Sequence, residues 1–153
     1  MKISIMTKKR LTVSGRPFRS EASGHCLCGK VTYELSGEPI ATAVCHCSHC
    51  QRQSGGAFSV NVIALPDQLT VTCELGTYVE TGENDDGEYV HRRFCPSCGS
   101  PIVSEMLQAG IVAVKAGTLD DTSHIRPAVE VWCTDRQPWV ELAGIPMSME
   151  REG

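Results

Sequence analysis

Seven of the nine cysteines stand in three short clusters, and their spacing constrains the fold more than any other feature of the chain. The clusters are Cys26-Leu-Cys28, Cys45-His-Cys-Ser-His-Cys50 and Cys95-Pro-Ser-Cys98. Two cysteines separated by one or two residues can direct both sulfurs at a single zinc ion, at about 2.3 Å. In a reducing compartment such close-set thiols are metal ligands or catalytic groups more often than disulfide partners. The pattern therefore predicts a metal-binding protein.

The first and third clusters together predict one closed metal site. Each pair is followed directly by a glycine, a residue that permits the positive φ of a tight knuckle around a metal. Closing the loop of roughly 66 residues between the pairs costs about 4 kcal/mol. Structural zinc binding, at about 10–16 kcal/mol, offsets that cost. The predicted ligands of this site are Cys26, Cys28, Cys95 and Cys98.

The middle cluster supplies three thiols within six residues and has no fourth cysteine partner in another cluster. Three protein ligands leave zinc one exchangeable position, which distinguishes catalytic from structural zinc. The alternative is a closed site in which His46 or His49 is the fourth ligand, and the spacing alone favours neither arrangement. The two single cysteines, Cys73 and Cys133, lie in strand-like sequence and are expected to be buried, unreactive thiols.

Short apolar runs with alternating polar residues, separated by Gly, Pro, Asp and Asn, predict a mainly β fold of short antiparallel strands. The predicted strands are residues 31–35, 57–63, 69–73, 77–80, 88–94, 102–105, 111–115 and 128–132. One short helix is predicted at Ser48–Ser54, within the middle cluster, where Gly55-Gly56 would end it.

The 153 residues are enough for one domain with its own core. We assign residues 21–147 to this zinc-binding domain, residues 1–20 to a basic, flexible arm and residues 148–153 to a tail. The first twenty residues contain six Lys or Arg and no acid, whereas the remainder is acidic, which argues against a nucleic-acid-binding body. The chain has no run of about 18 apolar residues and no signal-peptide pattern, so we expect no membrane insertion and a cytoplasmic location.

Five sequence motifs appear in order between residues 24 and 146, and together they carry a family resemblance. They are Gly24-His-Cys-Leu-Cys-Gly-Lys-Val-Thr-Tyr33, Cys45-His-Cys-Ser-His-Cys-Gln-Arg-Gln-Ser-Gly-Gly-Ala-Phe58, Arg93-Phe-Cys-Pro-Ser-Cys-Gly-Ser-Pro101, Lys115-Ala-Gly-Thr-Leu-Asp120 and the weaker Trp139-Val-Glu-Leu-Ala-Gly-Ile-Pro146. With them the chain resembles the glutathione-dependent formaldehyde-activating enzyme family, which also includes centromere protein V. The resemblance implies a β-rich zinc fold of the β-tent type.

The resemblance also implies two zinc ions per chain. The structural ion would be held by Cys26, Cys28, Cys95 and Cys98, and the catalytic ion by Cys45, Cys47 and Cys50. The implied activity is that of a carbon–sulfur lyase, which forms S-hydroxymethylglutathione from glutathione and formaldehyde.

Such an activity needs groups that bind the carboxylates of a small thiol such as glutathione and groups that move a proton. Arg52, next to the middle cluster, is the first candidate for a carboxylate, followed by Arg92, Arg93 and Lys115. His46 or His49 is expected to carry the proton.

A second class of function fits the same sequence. The chain could be a non-enzymatic interaction module held together by zinc, with its basic arm or the acidic turn at residues 85–88 meeting a partner. A cavity above the middle cluster would favour the enzyme, and a histidine that closes the site would favour the module.

Overall fold

The computed structural model describes residues 21–81 and 87–151. The basic arm predicted at residues 1–20 lies outside these ranges, and so do residues 85 and 86 of the acidic turn at residues 85–88. The strands are β1 Glu21–His25, β2 Thr32–Ser36, β3 Ala41–Cys45, β4 Ser59–Ala64, β5 Leu69–Val71, β6 Gly76–Thr81, β7 Glu88–Phe94, β8 Pro101–Met106, β9 Ile111–Lys115, β10 Val129–Val131 and β11 Met147–Ser148. Helix α1 is Ser48–Ser54, and single turns of 3-10 helix lie at Pro66–Gln68, Ala116–Thr118 and Cys133–Asp135.

The mainly β fold is confirmed, because each of the eight predicted runs overlaps a strand. The sequence does not predict β1, β3 or β11. Of these, β1 is mostly polar, β3 is short and ends at a cysteine of the middle cluster, and β11 has two residues.

The strands form two sheets. The smaller has the order β1-β2-β5, and the larger has the order β11-β10-β3-β4-β9-β8-β7-β6. Neighbouring strands are antiparallel, as predicted, except that β10 runs parallel to both β3 and β11. A long connection after β9 brings the chain back to the edge of the larger sheet beyond β3, which allows this parallel pairing. Met147–Ser148, at the predicted boundary between domain and tail, extend the sheet at β10.

One hydrophobic core joins the two sheets. Tyr33 and Leu35 alternate inward from β2 and meet inward-facing residues of the larger sheet, among them Val62 and Val114. The hydroxyl of Tyr33 lies 2.7 Å from Oγ1 of Thr118. This close packing fixes the smaller sheet on the larger one.

Helix α1 has the predicted bounds, and both of its ends are satisfied locally. The sulfur of Cys47 accepts a hydrogen bond from the backbone N–H of Cys50 at the start. Gly55 ends the helix with a φ of 69°, a conformation that glycine adopts readily. No helix within the described ranges has the length and apolarity that crossing a bilayer requires.

Candidate functional site

The four cysteines of the first and third clusters lie together. Their sulfurs are all within 4.8 Å of one another. Sγ of Cys28 is 3.6 Å from Sγ of Cys26 and 3.8 Å from Sγ of Cys95. Sulfurs bound at about 2.3 Å to a tetrahedral zinc ion are about 3.8 Å apart. The chemistry and spacing of these four residues therefore fit a closed zinc site.

Hydrogen-bond donors favour the thiolate, the form that binds zinc, at two cysteines of this four-cysteine site, Cys26 and Cys98. The backbone N–H of Val31 donates to Sγ of Cys26 at 3.3 Å. The hydroxyl of Ser100 lies 3.2 Å from Sγ of Cys98, and hydrogen bonds, of which this one has the largest effect, lower the pKa of Cys98 to about 5. The first pair follows β1 and the second lies between β7 and β8, so the site connects the two sheets.

The three cysteines of the middle cluster also converge. Cys45 ends β3, Cys47 caps helix α1 and Cys50 lies in its first turn. Their sulfurs are within 4.8 Å of one another, and no fourth Cys, His, Asp or Glu of the described ranges belongs to this group. These three residues could hold a metal ion while leaving a coordination position to another ligand.

The three thiols of the middle cluster perturb one another strongly. Hydrogen bonds with Cys47 and Cys50 raise the pKa of Cys45. Hydrogen bonds with Cys45 and Cys47 lower the pKa of Cys50, and the positive charge of Lys115 lowers it further. Thiols this close together cannot all ionise independently, because each thiolate affects the pKa of its neighbours. Ligands that share one metal cation are expected to lie this close together.

A cavity of about 660 Å³ opens onto the middle cluster. Its volume is typical of sites for small organic ligands. Its wall includes all three cysteines of the cluster and residues of β3, β4, β7, β8, β9 and β10. A ligand in this cavity would therefore reach the thiols directly.

Two buried cations, Arg92 and Lys115, also line this cavity. Nε of Arg92 donates to Oε2 of Glu80 at 2.6 Å, and Nζ of Lys115 donates to Oδ1 of Asn61 at 2.8 Å. Burial lowers the pKa of Lys115, and the negative charge of Cys50 opposes this shift. Buried cations beside a cavity attract anionic ligands more strongly than exposed ones because water screens them less.

His46 does not belong to the cavity wall. Its side chain is fully buried, with Nε2 at 2.9 Å from Oε2 of Glu130. Its ring packs edge-on against Phe58, with ring centroids 5.8 Å apart. His46 therefore lies between Cys45 and Cys47 in sequence, but its side chain contacts Glu130 and Phe58 instead of the cavity.

His49, in contrast, lines the cavity, and 45% of its side chain is exposed. Nδ1 of His49 is hydrogen-bonded to Oε1 of Glu80, whose second oxygen accepts from Arg92. Burial raises the pKa of Glu80, but the hydrogen bonds from Arg92 and His49 prevail and hold it below its ordinary value. Glu80 therefore orients both side chains towards the cavity as a carboxylate.

The other basic candidates lie elsewhere. Arg52 is exposed on helix α1 and is not among the residues that line the cavity. Arg93, on the opposite face of β7 from Arg92, pairs with Glu105 at 2.8 Å. The alternation of side chains along β7 distinguishes the two arginines. Arg92 lies on the same face of the strand as the buried Val90, whereas Arg93 lies on the opposite face.

The prediction that both single cysteines are buried is wrong for Cys73. Its thiol is exposed and donates to the carbonyl of Lys30 at 2.8 Å. The strand predicted at residues 69–73 ends at Val71, so Cys73 lies beyond the packed part of β5. Cys133 is half-buried and lies near His46 and Glu130.

The fold is similar to that of a structural-genomics protein from Rhodobacter sphaeroides, known from a crystal structure. The two chains share 21% sequence identity, and the TM-score is 0.51. The match covers 69% of this chain and 91% of the Rhodobacter protein. At this identity the likeness concerns the fold alone.

A family model described as glutathione-dependent formaldehyde-activating enzyme matches residues 21–135. The match includes all three cysteine clusters, the buried Arg92 and Lys115, and the His49–Glu80 pair. The family suggested by the sequence motifs is confirmed: the chain belongs to the glutathione-dependent formaldehyde-activating enzyme family.

Proposed function

We propose that this protein is a zinc-dependent enzyme of the carbon–sulfur lyase type, which joins a small thiol such as glutathione to a small aldehyde such as formaldehyde. One observation carries the proposal beyond family membership. Three convergent thiols and two buried cations line the same cavity. This combination suits a ligand that has both a metal-binding sulfur and a negatively charged group.

The two metal positions have different roles in this proposal. Cys26, Cys28, Cys95 and Cys98 would hold a structural zinc ion that joins the sheets. A second zinc ion at Cys45, Cys47 and Cys50 would lower the pKa of a substrate thiol bound at its open position. Nine free thiols fit a reducing, cytoplasmic setting.

Arg92 and Lys115 would bind the negative charge of the substrate. Glutathione has two carboxylates, and a buried guanidinium or ammonium group binds such a group well only if it is already held in place. Glu80 holds Arg92 and Asn61 holds Lys115. We therefore assign anion binding to this pair in preference to Arg52.

His49 would move the proton in this reaction. The sulfur forms a bond to the carbonyl carbon, the π electron pair of the carbonyl moves to its oxygen, and the thiol proton ends on that oxygen. With Nδ1 bonded to Glu80, His49 has Nε2 for this transfer. We assign the role to His49 in preference to His46, because Nε2 of His46 is bonded to Glu130.

Calorimetry on the zinc-loaded protein tests this proposal. Glutathione is expected to bind at least tenfold more tightly than S-methylglutathione, which has the same charges but no free thiol. Lys115→Met should weaken glutathione binding about tenfold, whereas the control Arg52→Met should change it less than about twofold.

Carbon-13 NMR with labelled formaldehyde then tests catalysis. The protein should accelerate exchange between formaldehyde and S-hydroxymethylglutathione, and His49→Ala should reduce that acceleration about a hundredfold. If the zinc-loaded protein binds no thiol and leaves the exchange rate unchanged, the enzyme proposal fails, and the non-enzymatic interaction module becomes the better explanation.

A further inference from the structure

Trp132 has an unusual backbone conformation at the wall of the cavity. Its φ is 56° and its ψ is 44°, and it is the sole non-glycine residue of the described ranges with a positive φ. A bulky side chain disfavours this left-handed conformation, so such residues persist where their surroundings impose it. Strained residues of this kind occur often at ligand-binding sites.

The neighbouring hydrogen bonds fix this conformation. On the preceding side, the carbonyl of Val131 accepts from the N–H of His46 at 3.1 Å. On the following side, the N–H of Cys133 donates to the carbonyl of Met149 at 3.1 Å. The carbonyl of Trp132 itself accepts from Asp135 at 3.0 Å. The turn is therefore held on one side by the loop that contains Cys45, Cys47 and Cys50, and on the other side by the segment after β11.

The turn has a direct effect on the cavity. Successive side chains of a regular strand point to opposite faces, so Val131 and Trp132 would not share one surface if β10 continued. Both residues nevertheless line the cavity. Val131 pairs with Cys45 across the parallel strands, so the turn at Trp132 begins beside one cysteine of the middle cluster. The left-handed turn thus places Trp132 in the wall of the cavity that the three cysteines also line.

We propose that Trp132 determines specificity by contacting the organic group attached to the substrate sulfur. This inference rests on the proposed function, in which a thiol reaches Cys45, Cys47 and Cys50. A cavity of about 660 Å³ is far larger than formaldehyde and a minimal thiol require. An aromatic wall contributes binding energy in proportion to the surface that it covers. The site therefore favours thiols with a peptide-sized substituent over minimal thiols.

Tryptophan fluorescence gives the first test, because the chain has two tryptophans. Trp139 is 74% exposed and does not line the cavity. In Trp139→Phe, the emission therefore comes from Trp132 alone. Glutathione should quench or shift this emission with the dissociation constant that calorimetry gives for the same zinc-loaded protein. Calorimetric binding without any change in emission would overturn the inference.

Substitutions give the second test. Trp132→Gly and Trp132→Asn suit the left-handed backbone and should keep the melting temperature and zinc content. Both should bind glutathione about tenfold less tightly but 2-mercaptoethanol within about twofold of the parent. Trp132→Phe keeps an aromatic ring and should lose less than about threefold. The control Trp139→Gly should leave both affinities unchanged.

The outcomes distinguish a failure of the specificity role of Trp132 from a failure of the proposed function. If Trp132→Gly binds glutathione as tightly as the parent, or loses affinity equally for both thiols, Trp132 does not set specificity while the proposed function stands. If the parent protein binds neither thiol, the proposed function fails and this inference fails with it.

Discussion

Nε2 of His46 lies 2.9 Å from Oε2 of Glu130, although 84 residues separate them in sequence. Burial raises the pKa of Glu130, but the hydrogen bonds from Ser148 and His46 outweigh it, and the net pKa is below the ordinary value. Because the carboxylate is ionised, Nε2 of His46 is the donor. The His46–Glu130 hydrogen bond connects the loop that contains Cys45, Cys47 and Cys50 to β10. The hydroxyl of Ser148 donates to the other oxygen of the same carboxylate and so connects β11 to β10.

Glu130→Gln should therefore loosen the three-cysteine loop. An amide has one acceptor oxygen where the carboxylate has two, so His46 and Ser148 can no longer both donate. We expect a loss of about 1–2 kcal/mol in the free energy of unfolding and weaker metal binding at the loop. Denaturant unfolding and zinc titration measure the two effects. The exposed Glu141 offers the control Glu141→Gln, and equal stability of the two variants would contradict the role of the pair.

Loss of one ligand from the four-cysteine site should abolish the soluble fold. Cys26→Ala removes a buried sulfur and much of the folding free energy that structural zinc supplies. Cys73→Ala, which removes an exposed thiol outside both clusters, serves as the control and should behave like the parent. Zinc content and thermal melting test this prediction. It is wrong if Cys26→Ala keeps its zinc and melts within a few degrees of the parent.

The two metal ions should leave in a fixed order. Three protein thiols hold the ion of the middle cluster and four hold the other, so mild chelation should remove the first while the protein stays folded. Thiol binding should disappear at this stage, and Cys47→Ser should resemble the depleted protein. Zinc release and circular dichroism, followed together, check the order. Release of both ions in one step with unfolding would argue against two separate sites.

Gly24→Ala should destabilise the junction between the sheets. A Cβ at Gly24 would lie 2.2 Å from Cζ of Tyr33 and 2.6 Å from the backbone oxygen of Thr118. Neither group can move easily within the core, and we expect a loss of about 3 kcal/mol. Gly117→Ala is the control, because a Cβ there meets no atom within 4 Å. Chemical denaturation of both variants gives the comparison, and equal stabilities would show that the core yields at Tyr33.

Tyr33 should make stability depend on alkaline pH. Burial raises the pKa of Tyr33 to about 12, above the value of about 10 in an unfolded chain. The folded state therefore favours the neutral phenol. This contribution is complete below pH 10 and is lost as the pH rises towards 12. The stability difference between the parent and Tyr33→Phe should shift against the parent over this range, and a constant difference would contradict the burial effect.

Local patterns were sufficient to predict much of this fold. The limits of α1 follow from the cysteine spacing and Gly55, and the longer strands follow from alternation. The parallel pairing of β10 with β3 could not be predicted, because it depends on where a long connection returns. β11 has two residues, and its position depends on pairing with Val129 and Glu130 and on the hydrogen bond from Ser148 to the Glu130 carboxylate, none of which a local pattern predicts.

Residue type likewise limited what the sequence could predict of the candidate site. Cysteine clusters can be recognised because few other structures need that spacing. Arg92 and Lys115 resemble ordinary strand residues until the sheet turns them towards the cavity. Arg52 is close to the middle cluster in sequence, yet its helix presents it to solvent. His46 and His49 are three positions apart, and only tertiary contacts with Glu130 and Glu80 separate their roles.

The loop between the two knuckles has a consequence for synthesis on the ribosome. Cys28 is made 67 residues before its neighbour Cys95, a delay of roughly 3–13 s at about 5–20 residues per second. Cys45, Cys47 and Cys50 emerge almost together and can gather at once. A nascent chain should therefore bind its first zinc ion at the middle cluster, the proposed catalytic site. Cys26 and Cys28, which follow β1, remain exposed to oxidation and to incorrect pairing until Cys95 and Cys98 have been synthesised.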